Sequence, residues 1–253
     1  MGYSFGPYTF TDIGNAVQWG IDGAPLRMFI DDSTQKFYGC RNGSFYSYSD
    51  QGEDYFLDFC QEIDVKLQSA EEGAKVAFWG ITNSVGDFNS IGDQDFIYIA
   101  FEKDGSNKII LVERYDNSDY SQSCIVNVST WYYLSIQKNG NYFSVNIYSD
   151  IERTTLISNL NITLHSDYHG RYYFSGSTFF IDISDNRTLL FYSQNLDEIE
   201  CIGWENVQYD GYLESTLTPK WLSTKHDGYE NTNIYVTFAT LKYDGYTYTT
   251  ESA

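Results

Sequence analysis

An all-β protein built as a sandwich of two antiparallel sheets is the fold class this sequence predicts, and three observations predict it. Tyr, Phe, Val, Ile and Thr dominate nearly every periodic stretch; aromatic residues make up 18% of the 253-residue chain, Tyr alone numbering 24. Such residues fit a pleated, half-buried surface. Amphipathic helical windows are lacking, and the one helix-like patch, residues 69–75, is short and holds Gly73. Finally, residues 131–148 read as a hairpin about Asn139-Gly140, a dipeptide that tolerates the positive φ angles of a tight turn. Tyr132, Leu134 and Ile136 share one face of the first arm, and Phe143, Val145 and Ile147 one face of the second. A lone hairpin is unstable in water, so that dry face needs a second sheet over it.

The remaining elements follow in order. Short aromatic strands are expected at residues 8–10, 16–19 and 26–30, punctuated by Asp22-Gly23 and Asn42-Gly43. Residues 55–67 read as one long alternating strand, with Phe59, Ile63, Val65 and Leu67 on one face and Cys60, Glu62, Asp64 and Lys66 on the other. Residues 75–81 form the next strand, with Val76, Phe78 and Gly80 set against Ala77 and Trp79. A polar loop at 83–95 leads to a strand at 96–101, and Asp104-Gly105 turns it into 108–115. Strands at 154–164 and 171–175 follow the central hairpin, and 179–183 pairs with 188–192 across Ser184-Asp185-Asn186. We divide the chain into a sandwich at 1–204, whose first 50 residues serve as an arm or edge strands, and a β extension at 205–253. There Asp-Gly-Tyr recurs at 210–212, 227–229 and 244–246, as three hairpins sharing a turn would repeat it.

The formal charge of −20 argues against nucleic acid, because a polyanion would be repelled. Anionic lipid is disfavoured likewise, and with no run of eighteen apolar residues no membrane insertion is expected. Solubility accounts for the charge without a ligand; high salt or display on a crowded surface are the functional alternatives. Cys40, Cys60, Cys124 and Cys201 are spaced too widely for a CxxC metal site, and buried thiols and disulfides both remain open. Sequons at Asn42, Asn127, Asn161 and Asn186 are what a chain rich in Asn, Ser and Thr produces by chance. The first residues show no basic or apolar signal region, and Gly6 stands where myristoylation needs Ser or Thr.

Over residues 50–192, the order of long strand, second strand, polar loop and hairpin, then Trp131-Tyr132-Tyr133-Leu134-Ser135-Ile136 and a glycine turn into residues 142–150, resembles the concanavalin A-like lectin/glucanase superfamily, above all its laminin-G-like branch. The resemblance implies a jelly roll of one convex and one concave sheet. That fold carries lectins, adhesion modules, virion proteins and glycan hydrolases, so it leaves function open.

Three constellations bear on chemistry. Laminarinase-type hydrolases of the superfamily carry Glu-Ile-Asp-x-Glu on a concave-face strand, as nucleophile, helper and acid/base. Glu62 and Asp64 match, but Lys66 stands at the acid/base position, and a lysine is a poor proton donor to a glycosidic oxygen. The alternative is an ordinary amphipathic strand with a Glu-Lys pairing, and no catalytic residue is expected. Asp87, Asn89, Asp93 and Asp95 crowd one loop with the oxygen donors calcium prefers; the resemblance also implies calcium in such loops, and a solvated loop is the rival reading. His165, Asp167 and His169 would share a face of a strand and reach zinc, yet no fourth ligand is visible, and a polar turn is the simpler reading.

The expectation is therefore a non-enzymatic, lectin-like protein that binds glycan, or builds or decorates an extracellular or virion surface, with glycan or another surface protein as partner and as an oligomer or part of a larger assembly. A glycan hydrolase or lyase on the same fold is the alternative, and a purely structural assembly subunit the second.

Overall fold

The computed structural model describes residues 3–5, 7–13, 27–31, 34–38, 46–86, 88, 91, 95–178 and 189–199. Before residue 46, side chains are described at Pro7 and Tyr8. The strands in chain order are β1 (Tyr3–Phe5), β2 (Tyr8–Ile13), β3 (Arg27–Asp31), β4 (Thr34–Tyr38), β5 (Tyr46–Asp50), β6 (Phe59–Ala70), β7 (Lys75–Thr82) and β8 (Phe96–Asp104). They continue with β9 (Ser106–Tyr115), β10 (Ser118–Ile125), β11 (Thr130–Asn139), β12 (Tyr142–Tyr148), β13 (Leu156–Thr163), β14 (Tyr172–Thr178) and β15 (Leu189–Ile199). Among the described residues there is no helix, and none long and apolar enough to cross a membrane. The residues 16–19, the first arm of the hairpin expected at 179–192, and residues 205–253 with their Asp-Gly-Tyr triplets lie outside the described residues.

The strands form two antiparallel sheets. One, the β7 sheet, runs β1-β2-β5-β14-β7-β8-β9-β10; the other, the β6 sheet, runs β13-β12-β11-β6-β15-β4-β3. Their inner faces close over one core. Ile63, Val65 and Leu67 of β6, Leu134 and Ile136 of β11, and Val145 and Ile147 of β12 meet Val76, Phe78 and Ile81 of β7 and Ile97, Ile99 and Phe101 of β8. Aromatic pairs bridge the sheets: Trp79 lies 5.6 Å from Phe143 and 5.9 Å from Phe59, and Phe78 lies 6.0 Å from Phe191, centroid to centroid. Period-two alternation thus selects the buried face of the central hairpin as expected.

Several local expectations are corrected. The hairpin ladder closes at Asn139↔Tyr142, so the loop residues are Gly140 and Asn141 rather than a turn centred on Asn139-Gly140. Gly140 carries the positive φ, 55°, at the first loop position, where a type II′ turn places glycine. The long strand begins at Phe59, not at residue 55, because Gly52 (φ 97°) and Asp54 (φ 56°) turn the preceding segment and Phe56 bridges to Gly170. Strict alternation fails in β7, where the register slips between Ala77 and Trp79. This β-bulge lets both Phe78 and Trp79 enter the core, which a regular pleat forbids. Gly80 then faces outward, and a Cβ there would meet the Phe88 ring at 2.6 Å. The Phe88 ring belongs to a second apolar cluster, with Phe96, Tyr98, Val112 and Phe174, on the outer side of the β7 sheet.

Buried polar groups of the core are linked to one another. The Trp79 indole N–H donates to Gln61 Oε1 at 2.7 Å; the Gln61 amide reaches the Tyr8 hydroxyl, which donates to Glu198. Burial foremost, then the Glu198 carboxylate, pushes the Tyr8 hydroxyl far above the usual tyrosine range, so it stays a neutral donor. Cys60 is disulfide-bonded, whereas Cys124 is a free thiol.

Candidate functional site

Because Ile63, Val65 and Leu67 face the core, Glu62, Asp64 and Lys66 share the outer face of β6, as period two requires. Register builds that face sideways in rows. Lys66 is flanked by Trp131 of β11 and Tyr192 of β15; Asp64 by Tyr133 and Gln194; Glu62 by Ser135 and Asp197. One strand further, Tyr133 faces Tyr148, and Ser135 faces Asn146 of β12. Trp131, Tyr133, Tyr148 and Tyr192 are all half-buried, so ring surface remains open to solvent. An amide chain continues across β12 and β13: Asn161 Nδ2 donates to Asn159 Oδ1 at 2.6 Å, and Asn159 Nδ2 donates to Asn146 Oδ1 at 2.7 Å.

The charges on this face follow a pattern that the expected Glu-Lys pairing does not describe. Arg153, from the loop between β12 and β13, lies over the sheet with Nη2 2.8 Å from Asp64 Oδ1 and Nη1 3.3 Å from Glu62 Oε2. Asn195 Nδ2 donates to the other Asp64 oxygen at 2.7 Å. Asn195 (φ 53°) sits within the register slip between Gln194 and Asp197. Asp64 is only 1% exposed, and such a burial is tolerated because one guanidinium and one amide meet both its oxygens. Lys66 takes a different course: its Nζ lies 4.8 Å from the Trp131 centroid and 4.6 Å from the Tyr192 centroid, a cation between two rings.

Asp150 places Arg153. Its carboxylate accepts from Thr154 N at 2.9 Å, Thr154 Oγ1 at 2.9 Å and Thr155 N at 2.6 Å, while Arg153 N–H donates to the Asp150 carbonyl at 3.1 Å. The backbone hydrogen bond from Thr154 is the foremost cause that brings Asp150 down to about 2. A depressed carboxylate stabilises the fold above its unfolded value, near 3.9, and that contribution fades as pH falls through the folded value. Asp150→Asn should therefore be less stable than the native chain at neutral pH, with the gap closing between about pH 4 and pH 2. Urea unfolding across that range measures it; a gap independent of pH would contradict it.

The other candidates resolve differently. His165 stands apart from Asp167 and His169, since residues 164–169 form no strand, whereas His169 Nε2 lies 3.4 Å from Asp167 Oδ2. His165 donates its backbone N–H to Glu113 Oε1 at 2.7 Å, sets Nδ1 2.8 Å from Oε2, and stacks on Tyr115 at 4.7 Å. Asp167 instead binds the buried Lys138 ammonium at 2.8 Å, and that hydrogen bond draws its carboxyl below the usual range. Among the described residues no group of three or more His, Cys, Asp or Glu is placed to hold a metal. Asp95 accepts from Asp116 N at 3.3 Å. The other calcium candidates, Asp87, Asn89 and Asp93, lie outside the described residues.

No family model matches the chain, and no curated protein matches it in sequence. Solved structures match it in fold. A functionally unknown protein from Saccharomyces cerevisiae shares 10% identity over 71% of this chain and 95% of its own, with a TM-score of 0.51. The carbohydrate-binding module CBM66 from Bacillus subtilis is 10% identical over 76% of this chain and 95% of its own, at 0.44. A prokaryotic β-1,3-1,4-glucanase (lichenase) from a mouse hindgut metagenome is 10% identical over 77% and 98%, at 0.46. The likeness is one of fold, a sandwich of two antiparallel sheets.

Proposed function

We propose that the protein is a non-enzymatic, lectin-like module that binds glycan on the outer face of the β6 sheet. The observation that carries this reading is the composition of that face: half-open Trp131, Tyr133, Tyr148 and Tyr192 rings beside the Asn146, Asn159 and Asn161 amides. Sugar rings stack on aromatic faces, and amides and phenols serve their hydroxyls. The carboxylates that would do hydrolysis are engaged: Asp64 is buried on Arg153, Glu62 shares the same guanidinium, and Lys66 holds the position a proton donor would need.

We place the protein in the laminin-G-like branch, outside a cell or on a virion surface, within a larger assembly. The Cys60 disulfide supports an oxidising compartment, and the Trp131-led strand supports the branch.

A glycan array followed by calorimetric titration of the best hit tests the reading. Trp131→Ala and Tyr133→Ala should each weaken affinity about tenfold, or ~1.4 kcal/mol, and no reducing sugar or unsaturated product should appear. Product release abolished by Glu62→Gln would make the protein a hydrolase. An array blank for every glycan would leave a structural subunit.

A further inference from the structure

We infer that Lys66 is an anion subsite, so that the glycan taken by this face is an acidic one, bearing a carboxylate or sulfate group; the inference rests on the glycan-binding reading above. Three observations lead there. Lys66 Nζ is held between the Trp131 and Tyr192 rings, at 4.8 and 4.6 Å from their centroids. Ring faces attract the charge but accept none of the three ammonium N–H groups in the manner of an oxygen. Among the described residues, the side-chain contacts of Nζ are these two rings, while the carboxylates of the same strand face, Glu62 and Asp64, pair with Arg153.

The composition makes this unusual. With 35 acidic against 15 basic residues, a carboxylate is the commonest charged neighbour a lysine could find. Arg153, the other cation whose side chain is described on this face, is already used, since it holds Glu62 and Asp64. Lys66 thus offers a half-buried positive centre among rings suited to sugar stacking. An oxygen anion carried by a pyranose would accept from the ammonium N–H groups while its ring lies against an aromatic neighbour. The two rings exclude water on two sides and so lower the local dielectric, which strengthens that contact. The chain's net charge opposes a polyanion at long range, yet at physiological salt the repulsion is screened beyond about 8 Å, whereas contact at Nζ is not.

The test is calorimetric titration at physiological salt with three short probes: a galacturonate oligomer, its methyl-esterified form, and a sulfated galactan oligomer. The native protein should bind an anionic probe at least about tenfold tighter than the ester. Lys66→Gln should erase that preference, and Lys66→Arg, which restores the charge, should retain it; melting curves verify that both variants fold. A preference for the sulfated probe over galacturonate assigns the group as sulfate, and the reverse as carboxylate. Equal affinity for ester and acids, with no differential effect of Lys66→Gln, overturns the anion subsite and leaves glycan binding standing. Failure of all three probes, with a blank array, removes the glycan reading itself and the subsite with it.

Discussion

Replacing Arg153 by methionine is expected to lower unfolding stability by about 3–5 kcal/mol, the cost of leaving a buried charge without its partner. Asp64 is 1% exposed and sits 2.8 Å from the guanidinium, so the variant strands a carboxylate with only the Asn195 amide to serve it. In a sandwich of this size that corresponds to a melting temperature lower by roughly 6–20 °C. Replacing both partners should be far milder: Asp64→Leu with Arg153→Met removes the stranded charge, and apolar substitutes for buried pairs are often near neutral. A single Arg153→Met variant that melts with the native protein would show that the pair is not a structural element of this face.

Trp79→Ala is expected to cost about 5 kcal/mol. Burial of the indole is complete, with Phe59, Phe143 and Tyr173 around it at 5.9, 5.6 and 6.1 Å. Emptying such a site costs about 3–5 kcal/mol through lost transfer energy and a cavity. A further ~1–3 kcal/mol arises because Gln61 Oε1 loses its donor inside the core. Trp79→Phe separates the two parts, keeping much of the ring while removing the N–H. Chemical denaturation of both variants provides the measurement, and a loss under ~2 kcal/mol for Trp79→Ala would contradict the core described here.

Much of the architecture was legible because its signals are periodic. Alternation in residues 131–148 reveals a hairpin and its dry face, and the same period sets Glu62, Asp64 and Lys66 together on β6. What escaped was aperiodic or contributed from afar. Strand β10 is a polar edge strand, exposed along nearly its whole length, so no apolar pattern marks it. Its one local signal is Asp116-Asn117, which adopt φ of 48° and 59° and turn the chain from β9. The bulge that brings Trp79 beside Phe78 answers to tertiary packing rather than local propensity. Arg153 was missed because it lies in a loop far in sequence from β6; Asp150 followed by Thr154 and Thr155 was the signal available, since short polar side chains that cap their own backbone fix such loops. A like reason separates His165 from Asp167: spacing implies a shared face only where the backbone is extended.

The measurement that tests the central claim most directly is the indole N–H spectrum of the protein titrated with its best-binding glycan. Trp131 lies on the outer face of the β6 sheet and Trp79 in the core, so the two indoles report the site and the interior separately. A saturable shift of the Trp131 indole resonance is expected, with Trp79 unmoved, and about tenfold weaker binding in Trp131→Ala. A glycan that binds while leaving the Trp131 indole resonance unmoved would contradict binding on this face.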